Sequence, residues 1–398
     1  MRLNPASPID TRLQGLPDDL AIQSTYAWIS GAILRTSASD ADCDLRRNTC
    51  IIGHYCDAKR RTMAPTEITA GTIPMSFVLN LLNGTPLDPA GQAEALAKAG
   101  IAPVLLDAET ARVTTEQFAT LYRQLANQLD DELPGMFSRP VHSGSLKFLC
   151  LSLLDSATLQ TALFRLSRFF HLLLDDFRIE LSREGSLVRM ALIPRMPQAA
   201  ANTFGQEILL KLIHGVASWL TGHRMTLARV DCSYRRPSHA SEYGFLYPGP
   251  VFFEQAVSAL YFEAAQLATP IRQDRRSLAR FLARAPGDWL FVAFEQHPTR
   301  QKVREHLRPR LSLPTTAGQT ASALHLSVRT LTRRLAAEGT TFQAIKDELR
   351  RDATIQLLTK TKIPIAVIGE EMGFEDPNAF HRAFRKWTGS TPGAYRPK

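Results

Sequence analysis

Phe380-His381-Arg382-Ala383-Phe384-Arg385-Lys386-Trp387, closed by Thr388-Gly389-Ser390-Thr391-Pro392-Gly393-Ala394-Tyr395-Arg396, decides how the rest of the chain is read. Phe380, Phe384 and Trp387 recur at i, i+4 and i+7, which is one face of a helix. The opposite face carries Asn378, His381, Arg382 and Arg385. Gly389 stands where a left-handed residue ends a helix. Thr391-Pro392 reads as the cap and first position of a short closing helix. A helix that buries aromatic rings and presents basic, hydrogen-bonding groups has the build needed to read the major groove of DNA. Alone, such a helix is more often an ordinary amphipathic surface helix with a solvated polar face. The neighbouring sequence changes that balance.

Upstream, the same pattern occurs a second time. Ala317–Leu324 reads as a helix, His325-Leu326 as a turn, and Ser327 as the cap of a helix in which Val328, Leu331 and Leu335 face inward. Arg329, Thr330, Thr332, Arg333 and Arg334 face away, and Gly339 ends the helix. A long helix, Phe342–Leu358, leads to Ile365 and Ile368 on a further helix, a turn at Met372-Gly373-Phe374, and the helix Asp376–Thr388. Two helix-turn-helix units in tandem, each with a basic second helix, are far more specific than one.

Charge supports this reading. From Thr299 onward the chain holds 18 Lys and Arg against 9 Asp and Glu, while the whole chain has a net charge of +9. All the positive excess therefore lies in the last quarter, which suggests a polyanionic partner for that part alone. A basic patch by itself also suits a membrane surface.

The rest of the 398 residues suggests a larger, charge-balanced domain. Residues 1–62 lack a sustained apolar period and read as a poorly ordered extension, with Met63 as an alternative physiological start. Cys43, Cys50, His54 and Cys56 cluster there without the paired spacing of a structural zinc site, so no metal and no cofactor is expected. Residues 63–270 read as a mixed α+β domain. Its helices include Thr115–Leu129, a helix running from Ser156 to about Leu174, and Gln206–Leu220. Its strands include Phe177–Ser182, Ser186–Ile193 and Met225–Tyr234, with Arg183-Glu184-Gly185 as a hairpin turn. His142, His171, Arg178, His214, Arg235 and His239 are polar residues set in apolar surroundings. Each is more often a hydrogen-bonded core residue than a ligand contact. Residues 271–298 read as a linker with short helices, and 299–398 as the all-α DNA-binding domain. No apolar run is long enough to span a membrane, no signal peptide is expected, and the five cysteines do not suggest a disulfide framework. A cytoplasmic location is expected.

The segment Gly373-Phe374-x5-Phe380-x-Arg382-x-Phe384-x4-Gly389-x-Thr391-Pro392-x2-Tyr395-Arg396 resembles the AraC/XylS family of transcriptional regulators over about the last hundred residues. The preceding domain resembles the arabinose-binding-type sensor of the branch that includes regulators of ornithine or arginine use. That likeness rests on Tyr234-x-x-Pro237-x5-Tyr243 and Pro250-Val251-x-Phe253-x6-Leu260-x-Phe262-x4-Leu267-x2-Pro270. The resemblance implies a ligand-responsive switch at promoter double-stranded DNA, commonly an activator in contact with RNA polymerase and answering a small-molecule effector. By position in the motif, Arg329, Thr332 and Arg333 would face bases from the first recognition helix, and Asn378, His381 and Arg382 from the second. Arg385, Lys386 and the backbone around Thr391 would meet phosphates. Pro377 departs from the polar residue of many relatives and serves as a helix-start device. A homodimer through Gln206–Leu220 is one expectation, with core packing as the equal alternative. Two other readings are a DNA-repair alkyltransferase carrying this module beside reactive cysteines, and a nucleoid protein without sequence preference. The cysteine spacing does not fit the first. The large neutral domain does not fit the second.

Overall fold

The computed structural model describes residues 71–237, 239–291 and 298–396, with only the main chain at Ser241 and Phe245. The extension over 1–62, its cysteines and Met63 lie outside these residues.

In chain order the first domain runs β1 (Thr72–Pro74), α1 (Met75–Asn83), α2 (Pro89–Lys98), β2 (Arg112–Thr114), α3 (Thr115–Leu129), α4 (Ser145–Leu154), α5 (Leu159–Leu173), β3 (Phe177–Glu184), β4 (Leu187–Pro194) and α6 (Pro197–Ala201). It continues through α7 (Thr203–Thr221), β5 (Arg229–Asp231), α8 (Tyr243–Leu246), β6 (Val251–Phe252), β7 (Ser258–Glu263) and α9 (Ala264–Leu267). α10 (Arg275–Ala283) and α11 (Gly287–Leu290) follow. Then come α12 (Pro298–Leu307), α13 (Ala317–Ala323), α14 (Val328–Ala337), α15 (Phe342–Lys360), α16 (Ile365–Glu371) and α17 (Pro377–Thr388).

The axis of the first domain is α7. Asn202 accepts from the Gly205 nitrogen to start it, and Gly222 ends it in the left-handed region. Apolar residues lie on every side of this helix, and such a helix belongs inside a core. Ile208, Leu209, Leu210, Ile213, Val216 and Leu220 are all fully buried. Its polar residues have partners. Gln206 Oε1 accepts from the Ser233 and Ser258 hydroxyls at 2.9 and 2.6 Å. The His214 ring bonds to the Met225 carbonyl at 2.9 Å. This burial corrects the expected dimer face, because Gln206–Leu220 has almost no surface left for a second chain.

The sheet beside α7 has the order β3-β4-β7-β5-β6, antiparallel except for the parallel pair β5–β6. The β3–β4 hairpin turns at Gly185-Ser186, one step beyond the expected turn, because Gly185 supplies the positive φ such a turn needs. The strand expected over Met225–Tyr234 shrinks to three residues. Leu227, Ala228 and Cys232 still donate to main-chain carbonyls, but at the ends side-chain hydroxyls take over: Met225 N donates to Ser218 Oγ, and Ser233 N to Ser258 Oγ. β1 and β2, absent from the sequence reading, pair with each other as three-residue strands.

The segment read as a linker carries α10 and α11, packed on the first domain. Trp219 stacks on Phe281 at 4.6 Å, and Trp289 and Leu290 are buried. α11 crosses α7 at Gly215, where a Cβ would lie 2.4 Å from the Trp289 carbonyl oxygen, so only glycine permits the approach. We propose a domain boundary between Phe291 and Pro298.

Candidate DNA interface

The first helix-turn-helix has its own small core of Val303, Leu307, Ala321, Leu331, Leu335, Ile345 and Leu349. Thr316 and Gln319 form a capping box at α13, two orphan donors satisfied reciprocally. His325 takes a positive φ of 55° in the turn, and Ser327 caps α14 by accepting from the Thr330 nitrogen at 3.1 Å. With Leu331 and Leu335 buried, helical periodicity sends Arg329, Thr332 and Arg333 outward, and all three are exposed.

The second unit follows the same logic with larger side chains. Asp376 caps α17, accepting from the Asn378 and Ala379 nitrogens at 2.9 and 3.1 Å, and Pro377 takes the first helical position. Phe380 and Phe384 are fully buried. Phe374 meets Phe380 at 5.5 Å and Trp387 at 6.0 Å, while Tyr395 closes the far side against Phe384 at 5.3 Å. Asn378, His381, Arg382, Arg385 and Lys386 are exposed on the other face. Arg382 lies 3.6 Å from Asp376, both side chains largely in solvent. An exposed pair of this kind is weak and leaves the guanidinium available. Lys386 and Arg385 also sit in the last turn of α17, where cations suit the helix dipole.

Thr391 lies in exposed chain, but its hydroxyl caps nothing. The closing helix expected after it is a single 3-10 turn, Pro392–Tyr395, held by the burial of its two end residues. A main-chain phosphate contact beside Thr391 remains a proposal.

Three residues fix this geometry in ways the sequence reading did not assign. Arg350, in the middle of α15, places its guanidinium 5.1 Å from the Phe374 ring and donates to the Leu311 carbonyl, so it joins the two units. Arg396 donates to the Thr361 and Ile363 carbonyls and pins the chain end beside α16. Glu338 accepts from the Thr299 and Arg300 nitrogens at the start of α12. For Arg350 the available signal was a basic residue on an inward-facing helix position, which charge counting treats as surface; Glu338 and Arg396 stand at element ends and gave none.

The other expected polar residues are dispersed. His142 pairs with Asp130 at 2.8 Å in solvent, and Arg178 and Arg235 are exposed. His239 approaches buried Glu207 at 3.2 Å, and Tyr243 donates to the same carboxylate oxygen. Cys150 and Cys232 are buried. Burial pushes the Cys150 thiol well up and the Cys232 thiol to about 12, so both are poor nucleophiles.

Paired recognition helices, exposed basic faces and an enclosed α+β domain in front define a helix-turn-helix transcription regulator with a sensor domain. Residues 90–271 match the arabinose-binding domain of AraC transcription regulators, N-terminal, and residues 320–398 match a helix-turn-helix domain. The chain belongs to the AraC family of transcription regulators. It is 27% identical over 333 residues to the ornithine utilization regulator of Pseudomonas aeruginosa, covering 83% of this chain and 98% of that protein. It is 25% identical over 196 residues to the RCS-specific HTH-type transcriptional activator RclR of Escherichia coli K12, covering 47% of this chain and 65% of the relative. Over 77 residues it is 39% identical to the HTH-type transcriptional regulator VqsM of Pseudomonas aeruginosa, covering 19% of this chain and 24% of the relative. These relatives are regulators, not alkyltransferases. No helix among the described residues is long and apolar enough to cross a membrane.

Proposed function

We propose that the protein is a ligand-responsive activator that lays α14 and α17 in two successive major grooves on one face of promoter DNA. One observation carries this reading: both second helices expose a basic face, and both are tied to the single helix α15. Its 19 residues rise roughly 28 Å at about 1.5 Å each. With the turns at its ends, that approaches the roughly 34 Å between successive grooves. Arg329, Thr332 and Arg333 then face bases at one end of the site, and Asn378, His381 and Arg382 at the other. Arg385, Lys386 and the chain at Thr391 meet phosphates. The likeness to named activators supports RNA polymerase as a partner, and a DNA target favours the cytoplasm. Homodimerisation remains part of the proposal, through a face other than α7. The test is selection of bound sequences from a random DNA pool. Two preferred blocks about one helical turn apart are expected. A single block, or none, defeats the two-groove arrangement.

A further inference from the structure

A cleft of about 80 Å³, room for several waters, opens on the flank of the first helix-turn-helix. Pro298, Thr299 and Lys302 line it from α12, Leu324 and Leu326 from the turn joining α13 to α14, and Arg334 from α14. Two other cations of α12, Arg300 and Arg304, both pair with Glu348 at 2.8 and 3.1 Å. Lys302 and Arg334 are exposed, and their side chains have no partner among the described residues. The acids beside them are engaged elsewhere. Glu338 accepts from the Thr299 and Arg300 nitrogens, and Glu305 accepts from Gln301 at 2.7 Å. The cleft thus presents two free cations next to two half-buried leucines.

Comparison of the two units shows what these cations replace. The caps Ser327 and Asp376, the buried pair Leu331 and Phe380, and the buried pair Leu335 and Phe384 are each 49 positions apart (376 − 327, 380 − 331, 384 − 335). The same shift sets Arg333 on Arg382, both exposed. Arg385 and Lys386, the phosphate candidates of the second unit, fall on Ala336 and Ala337 in the first. Conversely, Arg334 falls on Ala383. So α14 has no cation at those two positions and carries one at Arg334 instead, with Lys302 across the cleft. Leu331 and Leu335 point inward and Arg333 outward, and Arg334 lies one residue on, about 100° round the helix. The major groove is about 12 Å wide, and a helix with its side chains is about 10–12 Å across. A residue at that angle therefore meets the sugar-phosphate strand beside the groove, not the bases.

We infer that this cleft takes the backbone of the bound DNA, with Lys302 and Arg334 converging on one phosphate and Leu324 and Leu326 against its deoxyribose carbons. The inference rests on the reading of α14 as a recognition helix. It supplies the phosphate anchor that the first unit lacks at Ala336 and Ala337, and it brings Lys302 of α12 into the interface. A contact of this kind fixes the register of α14 on the duplex and carries no sequence information of its own.

The test uses the full chain and a duplex selected from the random pool. The α14 half of the site is the block at which Arg333→Ala loses preference. A methylphosphonate, which removes the charge of one phosphate, is placed at each backbone position in turn. In the parent, one neutralised phosphate beside the α14 half should weaken binding. The double variant Lys302→Gln, Arg334→Gln should lose sensitivity at that position alone and lower the salt slope by about one. Each single variant should lower it by less, because both cations serve the same phosphate. Base preference should stay that of the parent. The scan of the parent stands even if a variant does not fold. A double variant that keeps the parent's salt slope, or responds to every methylphosphonate as the parent does, overturns the inference. So does loss of base preference at the α14 half, which would make Arg334 a base reader. A double variant that binds DNA like the parent but no longer recruits RNA polymerase also overturns it, by making the cleft a protein-docking site. A parent that selects DNA but has no sensitive phosphate beside α14 keeps its function and loses this site. A parent that selects no DNA refutes the DNA-binding reading and this inference together.

Discussion

The main-chain nitrogen of Arg112, on β2 in the first domain, donates to the phenolic oxygen of Tyr395 in the last turn of the chain, 3.2 Å away. The side chain of Arg112 works in the other direction. It makes a bidentate pair with Glu242 at 2.8 and 3.1 Å, and it donates to the hydroxyl and carbonyl of Thr72. The Thr72 hydroxyl in turn donates to Asp352 on α15 at 2.6 Å. A short two-stranded ribbon thus connects the segment before α8 to the second helix-turn-helix. Glu242 directly precedes Tyr243, whose hydroxyl is bonded to buried Glu207 on α7. The exposed faces of α14 and α17 stay clear of this contact.

Removing the phenolic oxygen should therefore weaken domain docking without touching the DNA face. Tyr395→Phe leaves a buried N–H without an acceptor, which costs about 1–3 kcal/mol. The expected result is a lower melting temperature and faster cleavage between the domains in limited proteolysis, with base preference unchanged. Glu242→Gln should cost more, because the largely buried Arg112 guanidinium would lose its counter-charge. Equal proteolysis of parent and Tyr395→Phe would show that this contact does not hold the domains together.

The recognition helices separate base reading from phosphate contact. Arg333→Ala and Arg382→Ala should each cost about 1–3 kcal/mol and relax preference at different ends of the site, since a guanidinium can donate two bonds to guanine. Arg385→Ala should weaken binding to all sequences alike and reduce the salt slope by about one. Binding-site selection and salt titration of the three variants check this. Loss of preference at the same base pairs in Arg333→Ala and Arg382→Ala would contradict two separate grooves.

Lys211 gives the first domain a distinctive pH response. It is fully buried on α7, donates to the Leu246 carbonyl, and burial pulls its ammonium down to about 7. In the unfolded chain its pKa is near 10.4. Between these values the unfolded state binds the extra proton, so this group's contribution to stability rises with pH across that window and is flat below it. Lys211→Met should flatten the rise. The stability of the variant relative to the parent should grow as pH falls from about 10 to about 7, by at most roughly 1.4 kcal/mol per unit. Unfolding curves at several pH values would measure it, and a pH-independent difference would show that the folded ammonium is not depressed.

Much of the DNA-binding domain was legible because its signals are local. The cap at Ser327, Gly389 past the last turn, and aromatic residues at helical spacing each declare themselves within a few positions. β1 and β2 were not legible, since three residues carry no period and their pairing joins positions about forty apart. The same holds for Arg112 and Arg350, whose partners lie far away in sequence. A charged residue that will be buried against such partners looks like surface until the fold is known. The α10–α11 segment misled for a related reason: its charged residues are exposed, while Leu278, Phe281, Trp289 and Leu290 anchor it to the core.

How independent the two helix-turn-helix units are follows from the cores. The apolar sequence pattern suggests that the last hundred residues fold alone. In the structure the first unit has a separate core. By contrast Ile355, Leu358, Ile368, Phe380, Phe384 and Tyr395 belong to the same continuous cluster as the first domain. Gly389 adds to this docking. Its φ is +68°, and a Cβ there would lie 2.9 Å from the Thr110 hydroxyl of the first domain. A fragment of residues 299–398 should therefore keep α14 and its salt-dependent DNA binding but hold α17 less firmly. Hydrogen exchange should be faster at Phe380 and Phe384 in the fragment than in the full chain, and little changed at Leu331 and Leu335. Preference at the α17 half of the selected site should fall while the α14 half is retained. Equal protection of both units in the fragment would show that the shared cluster adds nothing to the second unit's stability.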